Sequence, residues 1–264
     1  MLNILVFIKQ VADTEARILI KSDNKSLEIE NKYNLNFFDE FAVEEAIRLK
    51  TKLKDSKVIV CTCGGKKAIE ALRTAIAMGA DQAYLIDNTD VDTEDPLITA
   101  KILAGYAKKE GFDIILCGRQ AIDDENGAIG PMVAEFLNIP HISAIMKLDV
   151  KDEKHMIVER DAEGARQTFE VELPALFTTQ KGINEPRVPL ITGVMKAMKA
   201  NIPVVDPLTL GLKKEELNSG ASKIDVLFYE TPKARPPVKI IDGETAQEKA
   251  RKLVKLLKEE AKVL

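Results

Sequence analysis

An acidic, glycine-bearing turn offers the most specific chemistry in the chain. Asp123, Asp124 and Glu125 follow a short apolar run, and Gly127 and Gly130 come just before an amphipathic pattern. Backbone N–H groups at the start of a helix lack partners within the helix, so a phosphate could be held near the two glycines. The carboxylates fit a ribose hydroxyl better, because like charges repel. An ordinary strand-to-helix connection is the alternative interpretation.

Residues for nucleophilic or metal catalysis are scarce. The chain has two histidines, His141 and His155. Cys61 and Cys63 lie on the same face of a predicted strand, but they lack the two-residue spacing and the second pair typical of a metal site. Cys117 also lies in an apolar run. We therefore expect thiols that are reduced and lie in the core or beside a nucleotide, and we expect no metal.

The composition excludes several classes of protein. The 264 residues are 45% hydrophobic, which is enough for a large core. A net charge of −4 gives no basic field of the kind that binds nucleic acid. The first residues lack a basic start and a cleavage site, and no apolar run is long enough to span a membrane, so we expect no leader and a cytoplasmic protein.

Short apolar runs alternate with helical patterns over the first 140 residues. Asp39 is the predicted N-cap of the first helix, and Gly79 ends the second. The alternation predicts an α/β fold: a mainly parallel, Rossmann-like sheet that binds an adenine nucleotide and has helices on both faces. The predicted strands are residues 4–8, 58–61, 83–86 and 114–117, and the predicted helices are residues 39–53, 66–78, 96–109 and 128–137.

The pattern changes after Pro140. Strand-like runs at residues 143–150 and 156–160 predict an antiparallel hairpin, which residues 168–172 and 175–179 are expected to continue. We therefore expect a mixed sheet in an α/β nucleotide-binding domain of residues 1–200. Residues 201–264 hold five prolines, one strand-like piece at 224–229 and a last amphipathic helix from Glu244. We interpret them as an extended C-terminal arm that packs on a partner subunit or on its own domain.

A second unusual segment carries apolar residues where a loop is normally polar. Leu190, Ile191 and Val194 follow Pro186 and Pro189, which hold the backbone extended. Apolar side chains on a stiffened loop suggest a docking surface. The alternative interpretation is that they simply cover the sheet.

These segments together resemble the beta subunit family of electron transfer flavoproteins over at least residues 1–200. Further matches are Arg73-Thr74-Ala75, Glu159-Arg160 and Val194-Met195-Lys196-Ala197. The longest matches are Ile8-Lys9-Gln10-Val11, Asn36-Phe37-Phe38-Asp39-Glu40, the turn at residues 118–130 and Asn184-Glu185-Pro186-Arg187.

The resemblance implies a non-enzymatic subunit of an αβ heterodimer that carries electrons between flavoenzymes. In this family the alpha subunit holds most of the FAD, and the beta subunit binds a second adenine nucleotide. That nucleotide is a structural AMP in the housekeeping type. In the bifurcating type it is the adenylate part of a second FAD, which takes electrons from NADH. The Leu190 and Ile191 loop matches the family's recognition loop for acyl-CoA dehydrogenases.

Carried over residue by residue, the resemblance also implies a nucleotide site. This chain departs from the family at three positions: Asp124 replaces a glycine of the bifurcating type, Ala128 replaces a glutamine, and Phe37 replaces a proline. The implied cofactor-binding residues are Phe7, Lys9, Asn36, Phe37, Phe38, Asp39, Cys63, Asp123, Asp124, Glu125, Asn126, Gly127, Ala128, Ile129, Gly130 and Pro131.

We therefore expect an electron-carrier subunit of the AMP-binding kind, because a side chain at position 124 limits how closely a ligand can approach the backbone. A bifurcating subunit with a second FAD is the alternative within the family. A free-standing adenine-nucleotide-binding or hydrolysing domain is the alternative from another class, since the first 140 residues would suit one. The apolar loop and the extended tail argue against it.

Overall fold

The computed structural model describes residues 2–53, 55–235 and 237–264. These residues divide into two compact units, with the boundary between Leu227 and Phe228. The large unit contains a central sheet and five helices among its described residues. The small unit contains one further helix.

The strands of the large unit follow the apolar runs of the sequence. In β1, residues 4–7 are all buried. In chain order the strands are β1 (Leu2–Phe7), β2 (Gln10–Ala12), β3 (Ile18–Ile20), β4 (Leu27–Ile29), β5 (Tyr33–Leu35), β6 (Ser56–Gly64), β7 (Gln82–Asp87), β8 (Ile114–Gly118), β9 (His141–Val150), β10 (His155–Ala162), β11 (Ala165–Glu172), β12 (Ala175–Thr179) and β13 (Val204–Val205).

The helices of this unit lie mostly between strands. Gly79, at φ 135°, ends the second helix as predicted, because glycine adopts that conformation readily. The helices are α1 (Phe37–Lys52), α2 (Ile69–Met78), α3 (Pro96–Glu110), α4 (Ile129–Leu137) and α5 (Ile191–Lys199), with short 3₁₀ helices at Lys66–Ala68, Pro207–Leu210 and Lys214–Glu216.

Nine strands form one sheet in the order β11-β10-β9-β12-β8-β1-β6-β7-β13. The seven strands from β9 to β13 run parallel to one another, and β10 pairs antiparallel with both β9 and β11. Two small antiparallel pairs, β2 with β5 and β3 with β4, are formed by the chain between β1 and α1. The predicted α/β fold with a mainly parallel, mixed sheet is confirmed.

Each face of the sheet has its own apolar core. One core contains Val6 with buried residues of α1, α2 and α5, and the other contains Leu5 with buried residues of α3 and α4. Because side chains alternate along a strand, Leu5 and Val6 point to opposite faces. A parallel sheet covered on both sides needs strands that are apolar throughout, as the sequence runs are.

The structure corrects three sequence-based expectations. Asn36 rather than Asp39 occupies the N-cap of α1. Strand β12 does not continue the antiparallel hairpin; it lies between β8 and β9, parallel to both. Residues 224–229 form no strand in the described chain.

The small unit, from residue 228 onward, contains α6 (Ala246–Glu259). The Thr245 hydroxyl caps this helix by accepting a hydrogen bond from the Glu248 N–H at 3.2 Å. No residue of α6 is buried. Within the described residues, this unit contains no strand.

Candidate functional site

The strand order reverses beside β1. After β1 the chain proceeds to β6 and β7 on one side, and then crosses to β8 on the other side of β1. In open α/β sheets, ligands bind outside the carboxyl ends of the strands at such a switch point. The segments that leave β1 and β8 therefore form the candidate nucleotide site.

Asp39 joins the two segments. Its Oδ2 accepts a hydrogen bond from the Lys9 N–H at 2.7 Å, and its Oδ1 accepts one from the Gly118 N–H at 2.8 Å. Burial raises the pKa of Asp39 to about 7, while the two N–H donors act in the opposite direction. Both carboxylate oxygens of Asp39 accept hydrogen bonds, and only 5% of the residue is exposed. Asp39 therefore links the segment after β1 to the end of β8.

Gly118 permits this close approach. A Cβ atom at this position would lie 2.5 Å from Asp39 Oδ1 and 2.7 Å from the Cβ of Phe38. Real Cβ atoms do not come so near to other atoms, so any side chain here would push α1 away from β8. Glycine is therefore required where the end of β8 meets the first turn of α1.

Asn36 fixes the segment after β8. Its Nδ2 donates to the Gln120 carbonyl at 2.9 Å, and its Oδ1 accepts from the Ile122 N–H at 3.1 Å. Only 1% of Asn36 is exposed. A buried amide that pairs with two backbone groups orders the backbone it touches.

The Lys9 ammonium group bridges two carboxylates of the turn. Its Nζ lies 2.8 Å from Asp123 Oδ1 and 3.1 Å from Asp124 Oδ2. Burial acts to lower the pKa of Lys9, but the hydrogen bonds and charges of Asp123 and Asp124 leave it above its ordinary value. The ammonium group thus offsets part of the negative charge of the turn and links the turn to the residues after β1.

Helix α4 begins at the far end of the same turn. Ala128 occupies its N-cap, and no side chain caps it. Gly127, at φ +65°, makes the preceding turn, and a Cβ on Gly130 would lie 2.6 Å from Thr178 Cγ2. The helix start thus lies close to β8 and β12, and the N–H groups of Ile129 and Gly130, since Pro131 has none, are candidate donors to a phosphate.

Arg119 adds a donor to the site that the sequence analysis did not single out. Its guanidinium lies over the Phe38 ring, 4.9 Å from the centroid. Its Nε is buried and has no hydrogen-bond partner among the described residues. A buried donor without a partner is costly, and a bound anionic or carbonyl group would satisfy it. The donors and helix start fit an adenine nucleotide.

A cavity of about 420 Å³ adjoins these residues. Tyr33, Phe37 and Ile122 supply apolar surface, and Asp13 and Glu40 supply carboxylates. Burial raises the pKa of Glu40. Residues of the β2–β5 pair and Ile122 of the turn therefore line the same cavity.

The other predicted site residues lie around this cluster at different depths. Phe7 is buried in the core against α3 and α4, and Cys63 lies near the end of β6 with its pKa raised to about 12 by burial. Glu125, with a φ of +51°, and Asn126 are exposed on the turn.

The predicted docking residues lie at a separate place, at the start of α5. Leu190 is 75% exposed, Ile191 80% and Val194 43%. The segment predicted as a loop is therefore helical from residue 191 onward. Exposure of neighbouring apolar side chains is typical of an interaction surface.

The family model for the electron transfer flavoprotein domain matches residues 25–210. The electron transfer flavoprotein subunit beta of Bacillus subtilis (strain 168) is 38% identical over 264 residues, which is 100% of each chain. The chain belongs to the electron transfer flavoprotein family, as a beta subunit. The Homo sapiens subunit beta is 37% identical over 237 residues, covering 89% of this chain and 90% of its own. The Thermoanaerobacterium thermosaccharolyticum subunit beta is 38% identical over 244 residues, with 92% and 93% covered.

Family membership establishes a role in electron transfer by a flavoprotein. Within residues 2–53, 55–235 and 237–264, no group of three or more His, Cys, Asp or Glu residues could hold a metal ion. In the same ranges, no helix is both long enough and apolar enough to cross a membrane.

Proposed function

We propose that this chain is the beta subunit of a heterodimeric electron transfer flavoprotein. It carries electrons between flavin dehydrogenases, such as acyl-CoA dehydrogenases, and a downstream acceptor. It binds AMP as a structural nucleotide, and the FAD lies mostly in the alpha subunit. The subunit is an electron carrier rather than an enzyme, and we assign it to the cytoplasm.

The nucleotide assignment rests on the side-chain contacts that join two segments at the point where the strand order reverses. Asp39, Asn36 and Lys9 tie the turn of residues 119–128 to the end of β1. The start of α4 supplies N–H donors for phosphate, and the buried Nε of Arg119 lacks a partner among the described residues. These groups suit the phosphate and sugar of an adenine nucleotide.

The side chain of Asp124 favours AMP over a second FAD. Its Oδ2 lies 3.1 Å from Lys9 Nζ, so the turn carries an ion pair where a glycine would leave the backbone open. A larger dinucleotide would need that backbone to be accessible. We therefore assign the site to AMP.

The chain's own contribution to electron transfer is positioning. FAD supplies the redox chemistry when it is bound. The exposed side chains of Leu190, Ile191 and Val194 would contact the dehydrogenase, and the hairpin around Arg160 and Asp161 would support the flavin-binding part of the alpha subunit. Docking geometry sets the distance between cofactors and therefore the rate.

Nucleotide analysis tests the cofactor assignment. The complex is co-purified with its alpha subunit and heated, and the released nucleotides are separated and quantified. We expect equal amounts of AMP and FAD. Two FAD per heterodimer without AMP would contradict the assignment and favour a bifurcating subunit that oxidises NADH. A stable monomer that hydrolyses ATP without an alpha subunit would instead indicate a free-standing nucleotide-hydrolysing domain.

Substitution of Ile191 tests the docking role. Ile191→Ala removes an anchor that is 80% exposed, and we expect reduction by an acyl-CoA dehydrogenase to slow about tenfold with flavin content unchanged. Ile18→Ala is the matched control, because Ile18 is a 52%-exposed isoleucine on β3. An unaltered rate in Ile191→Ala would exclude Ile191 from the docking surface.

A further inference from the structure

Glu44 is a buried carboxylate that reaches across to the segment preceding α5. Its Oε2 accepts from Arg187 Nε at 2.7 Å, and its Oε1 accepts from Arg187 Nη2 at 3.1 Å. The backbone N–H of Arg187 also donates to Oε2, at 3.3 Å. A two-pronged pair of this kind fixes orientation as well as distance.

A second arginine completes the cluster. Arg48, one turn further along α1, donates from Nε to Glu44 Oε1 at 2.9 Å and reaches the Glu185 carbonyl at 3.4 Å. Burial acts to raise the pKa of Glu44, but the hydrogen bonds of Arg187 and Arg48 outweigh burial and lower it. Glu44 is therefore ionised at neutral pH and holds both arginines.

A neighbouring amide strengthens this attachment. Asn184 donates from Nδ2 to Glu45 Oε2 at 2.9 Å and to the Phe41 carbonyl at 3.0 Å. Asn184 is 8% exposed and Glu45 is 6% exposed. Residues 184 and 187 thus attach the chain to α1 immediately before the exposed Val188.

The backbone that α1 holds at residues 184 and 187 continues directly into the proposed docking residues. Two residues, Val188 and Pro189, separate Arg187 from Leu190. Pro189 fixes one backbone dihedral between Arg187 and Leu190 and restricts the residue before it, Val188, which limits the freedom of this short connection. A displacement at Arg187 would be passed on to Leu190 and Ile191.

The far end of α5 is fastened separately. Arg73, on α2, donates from Nη1 to the carbonyls of Ala197 at 2.8 Å and Met198 at 2.6 Å. Gly193 in the first turn also packs closely on α2, at Ala77, so Glu44 and Arg187 add the attachment of the chain that leads into that turn. The Arg187 side chain is 42% exposed, and an ion pair with an exposed partner contributes little to stability, so its placement just before an exposed apolar helix needs another explanation.

We propose that Glu44 is a positioning residue for electron transfer: through Arg187 it holds the start of α5 in the orientation that a partner dehydrogenase recognises. This inference rests on the proposed function. Glu44 would act through Arg187 and Arg48, which its carboxylate oxygens contact. It raises the fraction of molecules whose docking surface is ready to bind, and the apparent affinity rises with that fraction.

Glu44→Gln tests the proposal in the complete heterodimer. We expect the KM for reduction by an acyl-CoA dehydrogenase to rise about tenfold, because fewer molecules present the competent surface. We expect kcat to change by less than about twofold, with unchanged FAD content. Amide hydrogen exchange in the first turns of α5 should become faster, while exchange in β1 and β8 stays the same.

Asp149→Asn is the matched control. Asp149 pairs with Lys52 near the end of the same helix, at 3.4 Å. It lines a surface cavity together with Glu44 and Arg187, but it forms no hydrogen bond to the described residues 184–187. Its loss should alter neither KM nor exchange in α5. Arg187→Gln should reproduce Glu44→Gln, and the double variant should add little, because both remove one interaction.

Two results would overturn the proposal. Unchanged hydrogen exchange in α5 of Glu44→Gln would show that Glu44 does not hold this segment. Faster exchange with an unchanged KM would show that the attachment is purely structural. If the unsubstituted complex is not reduced by the dehydrogenase, the proposed partner is wrong; exchange in α5 then still decides whether Glu44 fixes the segment.

Discussion

Asp39 shows how one buried carboxyl group can join two segments of the candidate site. Each of its oxygens accepts one backbone N–H, from Lys9 and from Gly118, an arrangement that suits the ionised form. Burial favours the protonated form and raises the pKa to about 7. The residue therefore balances two opposed effects close to neutral pH.

Stability should depend on pH through Asp39. A carboxyl group whose pKa is higher in the folded state, here about 7 against 3.8, binds more protons when folded. Its contribution is fully present below pH 3.8 and is lost as pH rises through 7, at about 1.4 kcal/mol per pH unit between these values. We expect the wild-type chain to lose stability relative to Asp39→Asn between pH 5 and pH 7.

Urea unfolding of both proteins at several pH values measures this difference. Other titrating groups cancel in the comparison, because they are shared. Asp39→Asn is expected to be the less stable protein at pH 5, since an amide offers one acceptor where two N–H groups require two. A difference independent of pH would show that Asp39 keeps an ordinary pKa.

Lys9 should matter to nucleotide retention rather than to folding. Lys9→Gln removes the ammonium that lies between Asp123 and Asp124, and the two carboxylates then repel each other and an incoming phosphate. For a pair this exposed the loss is about 1 kcal/mol, or roughly fivefold in AMP affinity.

The molar ratio of AMP to FAD after extensive dialysis of the heterodimer tests the role of Lys9. Lys32→Gln, which removes an exposed lysine paired with Glu30 at 2.8 Å, is the control. If Lys9→Gln retains as much AMP as this control, the ion pair plays no part in binding.

At the scale of elements, the pattern of apolar residues predicts where strands lie but not the order in which they pair. The apolar runs of β1, β6, β7 and β8 were recognisable because strands covered on both faces are continuously apolar. The insertion of β12 between β8 and β9 was not, since its apolar run fits an antiparallel or a parallel neighbour equally well. Strand order depends on pairing between distant segments, which the pattern of one segment does not encode.

For the candidate site too, the sequence predicts some features and leaves others out. The acidic turn and the glycines predict the place of the candidate nucleotide site, whereas the pattern around Asp39 predicts an N-cap and not its contact with the Gly118 N–H. The contacts of Asn36 with Gln120 and Ile122 involve backbone groups and so leave no trace in residue type. Pro186 and Pro189 predict an extended loop at residues 190–194, but α5 begins at Ile191.

Gly193 should control how α5 packs on α2. A Cβ at this position would lie 2.4 Å from the Ala77 carbonyl oxygen, a backbone atom that cannot rotate away. Gly193→Ala should therefore displace the helix and its apolar face, with a destabilisation of about 1–3 kcal/mol. We expect a higher KM for reduction by an acyl-CoA dehydrogenase and an unchanged AMP content.

Gly65→Ala is a control for the stability measurement, since its added methyl group would meet only Asn88 Oδ1, at 3.7 Å. Alanine is otherwise a better helix residue than glycine and should stabilise α5 by about 1 kcal/mol where space allows. A more stable Gly193→Ala protein would mean that the two helices separate without cost.

At the scale of the whole molecule, packing accounts for little of the structure of the small unit. Helix α6 carries an apolar stripe of Leu253 and Leu257, yet none of its residues is buried. A helix of 14 residues is marginal in water without tertiary contacts. We therefore propose that the predicted C-terminal arm packs this stripe on the alpha subunit.

Substitution on the stripe tests that placement. Leu253→Gln replaces a 44%-exposed apolar side chain, and we expect the heterodimer to dissociate about tenfold more readily, because a buried leucine contributes about 1.5–3 kcal/mol to an interface. Lys255→Gln changes the opposite side of α6 to the same residue and should leave the dissociation constant unaltered. Sedimentation of both heterodimers over a range of concentrations measures the constants. An unchanged constant in Leu253→Gln with a lower unfolding temperature of the isolated chain would place the stripe on the subunit's own domain instead.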